Sequence, residues 1–263
     1  MIVHGALIPH TPLLLPTIGG NAHHELTSTL ESMARLKESI ERHMPDTIVL
    51  IKTPEKGRRK KNALHIQLPQ KYVAEFSQFG DLITREEFTC DTVLAAELKD
   101  ELRRADIPIS SVSKESLEYT ASIGLVTLCA KLPVKVVVLQ PPQTDLDTLF
   151  SFGQHLTDVL QKSPKKIVVL AAGDGAHCSK KGKKEKYEHI CLPFDYMFND
   201  AVQKKSSTAL LSTNREEMTT LNACAVEPAV VLRGILDSLS WTANMLSYEA
   251  PFGVGYSVIE FSV

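Results

Sequence analysis

Five short runs of apolar, largely β-branched residues punctuate the chain, at Ile2–Ile8, Thr47–Ile51, Val134–Leu139, Lys166–Ala171 and Val254–Phe261. Thr47-Ile-Val-Leu-Ile51 and Ile167-Val-Val-Leu170 are continuously apolar rather than alternating. A strand with one wet face alternates, so these runs predict strands covered on both faces. Between the runs the apolar period lengthens. Leu26, Leu30, Met33, Leu36 and Ile40 recur at steps of four, three, three and four, which lays one stripe along a helix over His24–His43, stopped by Pro45. Val93–Arg104 and Leu146–Leu160 carry similar stripes. Glu227–Leu239 reads as a core helix through Val230, Val231, Ile235 and Leu239, and Thr213-x-x-Glu216 as the capping box of a short helix. Strands alternating with helices predict an α/β fold with a central mixed, largely parallel sheet flanked by helices on both faces. With no repeat, low-complexity tract or linker, residues 1–263 are expected to form a single domain.

Composition narrows the class. Apolar content of 43% and charged content of 23% are ordinary for a soluble enzyme. A formal charge of −2 provides no basic field for nucleic acid. No stretch approaches the ~18–20 apolar residues of a membrane span, and the start lacks the pattern of a signal peptide, so a cytoplasmic protein is expected. Five cysteines, at 90, 129, 178, 191 and 224, form no CxxC pair and are expected to be buried reduced thiols. Two basic runs stand out, Lys56-Gly-Arg-Arg-Lys-Lys61 and Lys180-Lys-Gly-Lys-Lys184 with Lys186. A solvated loop accounts for either. Each also follows an apolar strand, at the sheet edge where open α/β folds place ligands, which suggests an anionic ligand or acidic partner.

Candidate chemistry gathers at two strand ends. His10 lies just past the first strand between Pro9 and Thr11-Pro12, a stiff setting for an imidazole. It reads either as a ligand for a metal such as Fe(II) or Zn(II), or as a hydrogen-bonded turn histidine. Ala172-Gly-Asp-Gly-Ala-His177 follows the strand Ile167–Leu170 and would present Asp174 and His177. His177 could serve as a general base or donate a proton; Gly-Asp-Gly reads equally as a turn closed by an Asx hydrogen bond. No Gly-x-Ser-x-Gly elbow, P-loop or His-Glu-x-x-His is present. The other histidines read as structural or solvated, His43 through the dipole of the helix it closes.

Taken with Pro16-x-Ile18-Gly19, Phe76-x-x-Phe79-Gly80, Phe194-Asp195 and Ser247-Tyr-Glu-Ala-Pro-Phe-Gly-Val-Gly-Tyr256, these segments resemble the class III extradiol ring-cleavage dioxygenase superfamily. The likeness is closest to the branch found alongside Memo-like and radical-SAM proteins. It implies a single α/β domain, a mononuclear non-haem Fe(II) held by two histidines and a glutamate, a catecholic substrate and O₂. His10 matches the first iron ligand. The second belongs to a Ser-Pro-His triplet that falls on Lys52-Thr-Pro-Glu-Lys56, where Glu55 is reached by a one-residue shift. The family's Leu-Asp-His-Gly becomes Leu117-Glu-Tyr-Thr120, so Tyr119 replaces a catalytic histidine. Its Glu-Cys-Gly becomes Ala223-Cys224-Ala225, and Glu227, about one helical turn away, is the substitute ligand. His177 matches the family's histidine. The resemblance thus implies a metal at His10, Glu55 and Glu227, with catalytic roles for His177, Tyr119 and Asp174. By ancestry the function is Fe(II)-dependent oxidative cleavage of a catecholic ring. The alternative is a catalytically silent binding or assembly protein whose electropositive remnant pocket takes a small aromatic or anionic ligand. A homodimer is implied by the resemblance alone.

Overall fold

The computed structural model describes residues 1–53, 63–178 and 190–263. Glu55 and both basic runs lie outside the described residues. Ten strands form one mixed sheet: β1 (Ile2–Ile8), β2 (Thr47–Lys52), β3 (Leu64–Gln67), β4 (Lys71–Phe76), β5 (Asp81–Cys90), β6 (Ile109–Val112), β7 (Lys135–Gln140), β8 (Ile167–Ala172), β9 (Thr242–Glu249) and β10 (Tyr256–Ser262). Their order is β4-β5-β7-β2-β8-β1-β10-β9, with β3 against β7 and β6 against β3. The centre is parallel: β7, β2, β8 and β1 run side by side, while β10 closes antiparallel on β1. The carboxyl ends of β1, β2 and β8 therefore open on one edge.

The continuous apolar runs are explained by burial on both faces. All six residues of β2 and all six of β8 are buried. Leu7, Val49, Ile51, Val137 and Val169 point into one cluster, packed by α2 (Thr92–Arg104), α4 (Leu146–Lys162), α5 (Leu192–Gln203) and α7 (Val226–Leu236). Ala6, Ile8, Ile48, Leu50, Val168 and Leu170 point the other way, toward α1 (Thr27–His43) and α3 (Tyr119–Cys129). Neighbouring residues thus feed opposite cores, as the two-residue period of a strand requires.

Local signals explain most helix ends. α1 stops at Met44, which takes the left-handed conformation (φ 47°) one residue before Pro45. The short helix α6 (Arg215–Thr220) is capped by Asn214, whose side chain accepts from the backbone N–H groups of Glu216 and Glu217. The cap is thus one residue later than the Thr213 box predicts, because the amide of Asn214 reaches both orphan donors. Arg233 is fully buried on α7 and donates to the carbonyls of Val202, Lys204 and Lys205, with Trp241 against its guanidinium at 4.2 Å. That charge ties the end of α5 to the core helix.

One expectation is corrected. Cys178 and Cys191 are paired as a disulfide rather than held as thiols, with Cα atoms 6.4 Å apart. The chain leaves the loop after β8 and returns to the start of α5, bringing the two positions within bridging range. Among the described residues no helix is long and apolar enough to cross a membrane.

Candidate functional site

Three separated segments meet at the carboxyl edge of the parallel strands. β1 delivers His10, and the Gly173 N–H donates to the Ile8 carbonyl at 3.0 Å, so the Gly-Asp-Gly loop starts beside it. The loop is then stitched to the chain before β10. Gly175 N–H donates to the Gly255 carbonyl at 2.7 Å, Gly255 N–H to Ala176 at 3.1 Å and Cys178 N–H to Gly253 at 2.6 Å. The terminal Pro-Phe-Gly-Val-Gly motif is therefore structural, holding the loop that carries Asp174 and His177.

Asp195 locks this arrangement. Its carboxylate is buried, accepting from the Ala176 N–H at 2.7 Å and the Tyr248 hydroxyl at 2.8 Å. Two glycines make room for it. A Cβ on Gly175 would stand 2.5 Å from Asp195 Oδ1, and one on Gly255 would stand 2.8 Å from its Cγ. Burial raises the carboxyl pKa to about 6, against the opposing pull of those hydrogen bonds.

At the centre His10 is 5% exposed. Its backbone N–H donates to Asp174 Oδ1 at 2.9 Å. Its Nε2 lies 3.6 Å from Asp174 Oδ2 and 3.6 Å from Cys224 Sγ. The half-buried Cys224 sits two residues before α7. Its sulfur accepts the Asp174 backbone N–H at 3.3 Å and also hydrogen-bonds the His177 side chain. Thr53, at the end of β2, completes the frame: its hydroxyl is 3.0 Å from the Ala172 carbonyl and 2.9 Å from that of Cys224. The Thr120 hydroxyl donates to the Thr53 carbonyl at 2.8 Å. Tyr119 opens α3 with its ring edge-on to His10 at 5.8 Å and to Phe79 at 5.3 Å.

The charges of this cluster depend on one another. Burial alone would strip the proton from His10, but the Asp174 and Cys224 charges outweigh it and raise its pKa to about 9. Burial alone would keep Cys224 protonated, but the His10 charge and hydrogen bonds from His10 and His177 lower its pKa to about 6. His177 is raised as well, burial being outweighed by its hydrogen bond to Cys224. At neutral pH the pair is an imidazolium beside a thiolate.

The structure brings His10, Asp174, His177 and Tyr119 into one neighbourhood. Glu227 instead makes an ion pair with Arg215 at 3.7 Å, and Arg215 in turn donates to the Thr144 carbonyl. Lys52 is buried at the end of β2 and engages Glu118 and Gln140. Cys224 is the residue that sequence reasoning passed over. It was legible only as the middle of Ala223-Cys224-Ala225, and 214 residues separate it from His10.

Iron bound as the resemblance implies needs three donors converging on one ion with a face left open. Among the described residues no three His, Cys, Asp or Glu side chains are disposed to hold a metal ion. His10 Nε2 is engaged by Asp174 and Cys224, and Glu227 by Arg215. The described donors do not fit a two-histidine, one-carboxylate centre.

The comparisons with known proteins agree with the architecture. Protein CA_C1420 of Clostridium acetobutylicum is 22% identical over 97% of this chain, and the chain spans 56% of that protein's length. The chain thus covers about half of this curated relative. The solved structure of the uncharacterized protein JW3007 from Escherichia coli K12 shares the fold, with a TM-score of 0.71 and 12% identity across 99% of this chain and 100% of that one. The model for the catalytic LigB subunit of aromatic ring-opening dioxygenase matches residues 4–259. From the first strand to the last, then, this chain belongs to the LigB family of aromatic ring-opening dioxygenases.

Proposed function

We propose that this protein binds a small catecholic or other anionic phenol at the strand-end cluster, without the three-donor iron shell that ring cleavage by ancestry implies. The observation that carries this is the position of His10 Nε2, 3.6 Å from both the Asp174 carboxylate and the Cys224 sulfur. A nitrogen committed to two internal partners is a poor metal ligand but keeps its proton and its charge. His177 supplies a hydrogen-bond donor, since its Nε2 is buried with no hydrogen-bond partner. Tyr119 and Phe79 offer ring edges for an aromatic ligand. By sequence the two basic runs follow β2 and β8, charge of the sign that suits an anionic ligand. The Memo-like branch and a cytoplasmic setting belong to the same proposal.

Calorimetric titration with 4-nitrocatechol under excess chelator tests the reading. Saturable binding is expected, and His177→Ala should weaken it at least ~10-fold, the worth of one hydrogen bond to a charged group. Binding that requires added Fe(II), with oxygen uptake, would overturn it. That result would establish the second reading, an iron-dependent ring-cleaving enzyme, which the family match over residues 4–259 favours.

A further inference from the structure

The geometry points to Cys224 as the reactive nucleophile of this cluster, one that forms covalent thioethers with small α,β-unsaturated carbonyl or quinone electrophiles. The inference rests on the reading above only for the class of ligand, because a quinone is the oxidised form of a catechol.

Four observations carry it. Cys224 lies two residues before the 11-residue helix α7, near the end where the helix dipole favours negative charge. Its sulfur accepts the Asp174 backbone N–H at 3.3 Å, and His10 Nε2 stands 3.6 Å away to hold the proton beside the sulfur. Cys224 is partly exposed, whereas the other free cysteines, Cys90 and Cys129, are buried. Burial raises the pKa of both, that of Cys129 to about 12, while Cys178 and Cys191 are spent on each other. Finally, Tyr119 stands edge-on to His10 and Phe79 edge-on to Tyr119, aromatic surfaces that suit a planar electrophile.

The chemistry balances without an external oxidant. Cys224 reacts as the thiolate, its proton already carried by His10. The sulfur lone pair forms a bond to the β-carbon, and the carbon–carbon π pair moves to the carbonyl oxygen as an enolate. The imidazolium then returns its proton to that oxygen. For a quinone, the proton on the substituted ring carbon then leaves and the second carbonyl oxygen is protonated, giving a dihydroxybenzene thioether: a catechol from an ortho-quinone, a hydroquinone from p-benzoquinone, the ring being reduced by two electrons.

Peptide-mapped labelling of the native full chain with iodoacetamide tests nucleophilicity without any ligand recognition. Cys224 should label at least ~10-fold faster than Cys90 or Cys129. Treatment with one equivalent of p-benzoquinone should give a single adduct per chain, mapped to Cys224 and absent in Cys224→Ser. Equal or slower labelling of Cys224, or quinone adducts spread over other residues, would overturn the proposal. The wild-type peptide map decides this even if the serine variant fails to fold. Fast Cys224 labelling in a protein that ignores 4-nitrocatechol would support this proposal while sinking the phenol-binding one.

Discussion

Gly255→Ala probes the joint that aligns the site. The new methyl would stand 2.8 Å from Asp195 Cγ and closer still to a carboxylate oxygen. Asp195 has nowhere to retreat, because Ala176 and Tyr248 hold its two oxygens by hydrogen bonds. Overpacking of this kind costs ~1–3 kcal/mol, and weakening hydrogen bonds to a charged group adds ~1.5–3 kcal/mol. A net loss of about 3 kcal/mol is expected, which in a domain of this size lowers Tm by roughly 6–12 °C. Urea unfolding followed by circular dichroism gives the free energy. The stricter version is a double-mutant cycle with Asp195→Ala, which vacates the space the methyl needs. In that background Gly255→Ala should cost less than ~1 kcal/mol, a coupling of about 2 kcal/mol. A Gly255→Ala effect below ~0.5 kcal/mol, or simple additivity of the two substitutions, would refute the reasoning.

Two further outcomes follow from the same structure. Asp195 has a native pKa near 6, above the ordinary carboxylate value, so the native state holds its proton longer than the unfolded chain. The contribution is therefore full below about pH 4 and is lost as pH rises through about 6, a change of ~3 kcal/mol. Asp195→Asn should remove that slope when urea midpoints are compared across the window; identical slopes in both proteins would contradict the assignment. The disulfide predicts that the unreduced, denatured chain titrates three thiols, Cys90, Cys129 and Cys224. Reduction should lower stability by roughly 3 kcal/mol for a loop of this length, and five titratable thiols before reduction would exclude the bridge.

The central strands were readable because burial on both faces writes itself as unbroken apolar text. Ile2–Ile8 matches β1 residue for residue, and the Thr47 and Ile167 runs match β2 and β8 to within a residue or two. The edge was not readable for the complementary reason. β5 alternates exposed and partly buried residues through Arg85, Glu86 and Glu87, so its sequence looks like a polar loop. β9 has no fully buried position at all. α3 escaped because it is apolar around most of its circumference, with eight buried residues from Thr120 to Cys129, and so shows no stripe.

Within the site, the loop chemistry of His10, Asp174 and His177 was legible from strand ends and glycines. The partner of His10 was not. Contact between Cys224 and His10 arises from the fold closing, and no local pattern announces it. A useful signal was nonetheless present. Cys224 lies two residues before a core helix, and a thiol near a helix start has its pKa lowered when a histidine is brought near.

The central claim is that His10 is held by Asp174 and Cys224 rather than reserved for a metal. Anaerobic Fe(II) titration of the full chain, read as bound iron per chain for wild type and His10→Ala, tests it most directly. The account predicts no stoichiometric binding in either protein. One iron per wild-type chain, lost on His10→Ala, would contradict it.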